Sequence, residues 1–162
     1  MNLTSHFALM ARYNRIANEL LYAACAQLDD GEYRKARAGS FGSIHALLNH
    51  LLLGDRIWMG RFEGGQKSTP PLDTVLYDQF EELRQARVSE DDRIWRFFAT
   101  AEEAFLGSNL SYTNSLGKDC VTPAYGACAH LFNHQTHHRG QVHVMLSQTG
   151  VRPPSLDLHR VL

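Results

Sequence analysis

An excess of charge of either sign is missing from this 162-residue chain, in which 16 Lys and Arg stand against 17 Asp and Glu. The basic residues are scattered, and no stripe or cluster of them offers the footprint that a nucleic-acid backbone requires. Cysteine is scarce as well. Cys25, Cys120 and Cys128 are odd in number and lack ligand spacing, so a disulfide framework is excluded and a reduced, cytoplasmic protein is expected. No apolar run approaches the roughly 18 residues that a membrane span needs. The N-terminal stretch is interrupted by Arg12 and Arg15 and patterned as a helix, which does not fit a signal peptide. There is no internal repeat, no low-complexity segment and no Gly-x-Ser-x-Gly elbow for a serine nucleophile. One domain over residues 1–162 is expected, long enough to bury a core.

Histidine, by contrast, is plentiful, and five of the nine fall between His130 and His143. At about 100° per residue, His134 and His138 lie one turn apart on one helical face, with Ala127, Leu131, Val142 and Met145 on or beside it. A lone imidazole on an apolar face is ordinarily a hydrogen-bonded core residue. Two at i and i+4 can converge on one ion, as paired histidines do in zinc-binding helices. His130, a further turn back, either supplies another ligand or supports these two. His137 sits at the edge of the stripe, and His143 is expected in solvent.

The apolar periodicity predicts four long helices. The first runs from Ser5 to Leu28 and carries Asn14 and Asn18 on its apolar stripe. Buried amides need partners; these two either tie the helix to a neighbouring loop or line the histidine centre. A connection over Asp29–Ser40 leads to a second helix, capped by Ser40 or Ser43 and ending near Phe62. Its inner face holds Leu47, Leu51 and Trp58, with His50 at the edge. Asp55 lies among apolar neighbours and requires a partner, either an arginine such as Arg12 or a liganding imidazole. Gly64–Pro71 reads as a loop, and a third helix is expected from a cap at Asp73 or Thr74 to about Ala101, with Ser89–Asp92 a kink or a fresh start. Residues 107–122 look like a short hairpin crossing the bundle. Thr122 and Pro123 read as cap and first position of a fourth helix that continues to Gln148, and Ser155 as the cap of a last turn.

Four such helices make an all-α, four-helix bundle, in which His50 can meet His134 and His138 from a facing helix. Leu48, Leu52 and Met59 lie round the second helix from its inner face. They suggest a homodimer surface, unless the hairpin or the tail after Gly150 covers them.

Three groups of residues carry a resemblance to the DinB/YfiT-like family of metal-binding bundles. They are Tyr13-Asn14-x-x-Ala17-Asn18, then Ser40-Phe-Gly-Ser-Ile-His-x-x-x-Asn-His50 with Asp55-Arg-Ile-Trp58, and finally Asn133-His134-Gln-Thr-His-His138-Arg-Gly-Gln141. The resemblance implies an up-down-down-up bundle, often dimeric, with a divalent ion such as zinc or nickel on His50, His134 and His138. It further implies a small-molecule substrate and a thiol-dependent transferase or isomerase activity, with a low-molecular-weight thiol as co-substrate. Asn14, Asn18, Asp55 and Gln141 would then orient ligands or substrate, with His130 and His137 supporting the ligands from behind. Two other readings stand beside this one: a non-catalytic metal-binding or stress-response bundle, closed by His130 as fourth ligand, and a metal-dependent hydrolase.

Overall fold

In the computed structural model, which describes residues 2–65 and 69–162, four long helices dominate: α1 (Leu3–Cys25), α3 (Ile44–Phe62), α4 (Phe80–Thr100) and α6 (Ala124–Leu146). Between them lie the short helices α2 (Asp30–Arg34) and α5 (Glu103–Leu106) and a hairpin of β1 (Asn109–Thr113) and β2 (Asp119–Pro123); α7 (Leu158–Val161) follows α6. The 66–68 part of the expected 64–71 loop lies outside the described residues.

Contacts between the helices fix their directions. Phe7 of α1 packs on Phe98 and Phe132, Asn14 bonds Asp91 and Arg139, and Tyr22 stacks on Phe80. Helix α1 therefore runs antiparallel to α4 and parallel to α6. Asp55 pairs with Arg87 and Glu63 with Arg93, so α3 and α4 run parallel, while His50 meets His138 and Trp58 meets His130, so α3 and α6 are antiparallel. The order is up-down-down-up, as the resemblance implied.

The core has two apolar halves. One is mainly aliphatic, around Leu21, Ile44, Leu47, Leu51, Leu83 and Met145; the other is rich in aromatics, around Phe7, Phe62, Phe98 and Phe132. A buried polar layer joins the four helices. Asp55 Oδ2 accepts from Arg87 Nη1 at 2.7 Å and from Gln135 Nε2 at 2.6 Å. Asn14 and Asn18 donate to Asp91 Oδ1 at 3.2 and 2.9 Å, and Arg139 Nη1 donates to both asparagines and to Gln135. Neither expectation for Asn14 and Asn18 holds: their partners are helices α4 and α6, not a loop and not the histidines. Asp55 takes Arg87 rather than Arg12, and no imidazole is bonded to it. The apolar run that masked these partners shows only which side of a helix is inward, not which polar group comes to meet it.

Several boundaries differ from expectation. Asn2 and Ser5 form a capping box, with Ser5 N to Asn2 Oδ1 at 3.0 Å, so α1 starts at Leu3 and makes Ser5 an interior residue. Ser43, not Ser40, caps α3. Helix α4 begins at Phe80 rather than after Asp73, because side chains of α3 take the backbone of the preceding segment. Asn49 Oδ1 accepts from the amides of Leu76 and Tyr77 at 2.9 Å each, and Asn49 Nδ2 donates to the Tyr77 carbonyl at 3.1 Å. From there α4 continues unbroken through Ser89–Asp92, whose Glu90 and Asp91 are buried beside arginines. Thr122 and Pro123 belong to β2, where Thr122 pairs with Leu110, and the hairpin carries the start of α6 to Ala124. The last turn is capped by Asp157 rather than Ser155. His143 is half-buried, in hydrogen-bond contact with the Pro154 carbonyl at 3.1 Å, because the tail folds back across α6. Leu48, Leu52 and Met59 are fully buried within the chain, in clusters with Leu83 or with Ile94 and Phe98 of α4; neither the hairpin nor the tail is needed to cover them.

Candidate metal centre

Helix α3 supplies one imidazole and α6 two. Among the described residues, His50, His134 and His138 bring one ring nitrogen each to within 4.8 Å of one another. The Nε2 atoms of His50 and His134 are 3.0 Å apart. Donors at zinc-ligand distances of about 2.0–2.1 Å in tetrahedral geometry are separated by about 3.3 Å, so little movement is needed to share an ion.

Two of the three rings are held from behind. His50 Nδ1 lies 2.9 Å from the Leu72 carbonyl, and since a carbonyl only accepts, the proton sits on Nδ1 and the Nε2 lone pair faces the centre. His138 Nδ1 lies 3.0 Å from Gln141 Oε1, which frees its Nε2 in the same way. Gln141 is in turn positioned through Nε2 by Ser40 Oγ at 3.3 Å and by His137 Nε2 at 3.1 Å. With the His50 lone pair turned inward, the short contact to His134 requires a proton or a cation between the two nitrogens. The donor set thus fits a divalent ion, and three neutral imidazoles suit zinc, nickel, cobalt or copper.

The third ring is positioned by an absence. A Cβ on Gly54 would lie 2.9 Å from His134 Cε1, so only glycine lets the imidazole lie against the backbone of α3. Phe41 covers the other flank. Its backbone sits in the left-handed region, φ 63°, costly for a bulky residue, and its ring stacks on His50 at 3.9 Å between centroids. Phe41 and Asn49 stand in the motif that carries the resemblance, but their roles, like that of Gly54, escape sequence reasoning because each depends on a group from a distant segment.

Burial lowers the pKa of all three imidazoles. For His134 the burial, together with neighbouring His138 and His50, carries it to about 3. In His50 and His138 burial outweighs the raising effects of Leu72 and Gln141. The rings are neutral at neutral pH, as ligation requires.

His130 is not part of the cluster. Its ring packs on Trp58 at 5.1 Å and stands 5.8 Å from His134 between centroids, in an open cavity of about 390 Å³. Ile57, Trp58, Leu72 and Tyr112 form the apolar wall of that cavity, and Arg61 also lines it. Burial and the charge of Arg61 lower the pKa of His130 too. His137 is exposed, bonds Gln141 and packs edge-on against the His138 ring at 4.8 Å between centroids, whereas Asn14, Asn18 and Asp55 serve the polar layer. No cysteine lines the cavity among the described residues, and burial pushes the thiols of Cys25 and Cys128 up to about 12.

Known proteins resemble the chain over most of its length. The sequence matches the DinB family over residues 1–162. It is 28% identical over 163 residues to Protein DinB of Bacillus subtilis (strain 168), covering 94% of this chain and 92% of that protein. The fold is similar to the crystal structure of a DinB-like protein from Bacillus cereus ATCC 10987, with a TM-score of 0.65 at 16% identity over 86% of this chain and 89% of that one.

Proposed function

The chain belongs to the DinB family, and from that premise we propose that His50, His134 and His138 hold one divalent ion, zinc or nickel, in a metal-dependent enzyme of thiol-dependent transferase type. The observation that carries this reading is the open side of the cluster. Three imidazoles converge, His130 stands apart, and all three of the converging rings line the open cavity. Catalytic sites keep such a position free, whereas structural sites close it. When bound, the ion supplies acidity, lowering the pKa of a water or thiol that it ligates to the neutral range.

The protein's own residues do the rest. Leu72 and Gln141 keep the ring protons of His50 and His138 turned away from the centre. Phe41 shields His50 from solvent on one side. Ile57, Trp58 and Tyr112 offer an apolar surface along which a small substrate can lie. Among the described residues no cysteine lines the site, so the thiol of the proposed reaction would come from a low-molecular-weight co-substrate. Elemental analysis of protein purified without a nickel column, repeated on His134→Ala, tests the metal. About one ion per chain in the wild type and a large loss in the variant are expected, and equal contents would refute the site. Thiol consumption with an electrophilic acceptor tests the transferase. A metal-loaded protein that hydrolyses but never consumes thiol would replace this reading with hydrolysis, and one that turns nothing over would leave the ion a structural role.

A further inference from the structure

The cavity that begins at the histidines carries a cation at its other end. Arg61 stands about three helical turns beyond His50 on α3, roughly 16 Å of rise. Its guanidinium turns back between two aromatic faces, 4.6 Å from the Trp58 ring centroid and 4.3 Å from that of Tyr112. That reversal points it towards the histidines, since the Trp58 ring it lies over packs on His130 at 5.1 Å between centroids. Arg61 Nη2 donates to Thr69 Oγ1 at 2.9 Å and to the Thr113 carbonyl at 3.2 Å. All of these neighbours are neutral, and among the described residues no carboxylate pairs with Arg61. Elsewhere in the chain Arg87 pairs with Asp55 and Arg93 with Glu63, and buried Arg139, which bonds only neutral amides, still feels the nearby charges of Asp91 and Asp55. A half-buried guanidinium stays charged in proteins, so this positive charge has no paired carboxylate where it lines the cavity of the three histidines. It also borders a second cavity at the hairpin, where Asp119 is the acid and is not paired with it.

We propose that Arg61 is a specificity-determining residue that receives a carboxylate of the substrate. The site would then take a slender molecule with an acid at one end, an apolar middle against Ile57, Trp58 and Tyr112, and its reacting group at the histidines. The assignment rests on the metal reading for the reacting end alone. A carboxylate is favoured over a phosphate because a single guanidinium, with no second cation lining the cavity among the described residues, matches one negative charge. The alternative role for Arg61 is purely structural, a clamp joining Thr69 to the hairpin through Thr113.

Calorimetric titration with two matched pairs of probes separates these outcomes. One pair is ω-mercaptohexanoate and ω-mercaptohexanol; the other is hexanoate and hexanol, which lack the thiol. Wild-type protein is expected to bind each acid about tenfold more tightly than its alcohol, the scale of one charge-assisted hydrogen bond. Arg61→Gln should lose that preference while keeping its alcohol affinity, metal content and melting temperature, and Arg61→Lys should recover part of it. Equal affinity for acid and alcohol in metal-loaded wild type, or a preference that survives in Arg61→Gln, would overturn the proposal. So would a variant that merely melts earlier and weakens both probes alike, the signature of a clamp. An acid preference in protein that holds no ion and gains nothing from the thiol would instead sink the metal reading and leave Arg61 in place.

Discussion

Gly54 does for the site what no side chain can. Alanine there would press on the His134 ring while gaining about 1 kcal/mol of helix propensity against an overpacking cost of about 1–3 kcal/mol. We therefore predict that Gly54→Ala folds with stability within about 2 kcal/mol of the wild type but binds markedly less metal. Elemental analysis beside a denaturation curve would check it, and full metal content would refute it. The imidazoles also predict a response to acid. Their folded-state pKa values are depressed, to about 3 for His134, below the 6.5 of a free histidine. The unfolded chain consequently binds more protons, and metal-free protein should be fully stable above pH 6.5 and lose stability as the pH falls towards 3. Urea melts in chelator across that range would show the slope, and His134→Gln should flatten it. The cluster of three imidazoles was legible in the sequence, because His134 and His138 lie one turn apart and the motif resemblance points to His50. Gly54 and Phe41 were not, since their value lies in a ring that approaches from elsewhere.

Among the elements, the long helices were legible from their apolar stripes, and the hairpin from its turn residues. Their ends were less so. The start of α4 is decided by Asn49 on α3, a contact 28 positions away that no local propensity encodes. The polar layer was visible only as anomalies, asparagines and an aspartate on apolar faces, without their partners. Arg87 is its hub: 2% exposed, it stands between Asp55 and Asp91. Removing it leaves two buried acids uncompensated, so Arg87→Ala should cost about 3–5 kcal/mol. Chemical denaturation would measure this, and a loss under about 1 kcal/mol would mean that water or another cation had taken its place.

At the scale of the whole molecule, the leucines that suggested a dimer are spent inside the chain, so an interface has to draw on other surface. Leu20 and Val88 remain exposed on the neighbouring helices α1 and α4. We propose a homodimer, as the family resemblance implies, expected as twice the chain mass by light scattering at micromolar concentration; a monomer there would refute it. The polar layer has a consequence for how the helices find their alignment. Apolar stripes repeat with each turn, and a helix slid along its neighbour by one turn, about 5.4 Å, would still meet leucine and phenylalanine. Asp55 would not meet Arg87 again, nor Asn14 and Asn18 meet Asp91. The layer thus works as a vernier with one readable mark. Because Gly54 adjoins Asp55 and His134 adjoins Gln135, the setting that pairs the charges also brings the imidazole onto its glycine. By this argument Arg87→Ala should cost ion binding as well as stability, although Arg87 touches none of the ligands.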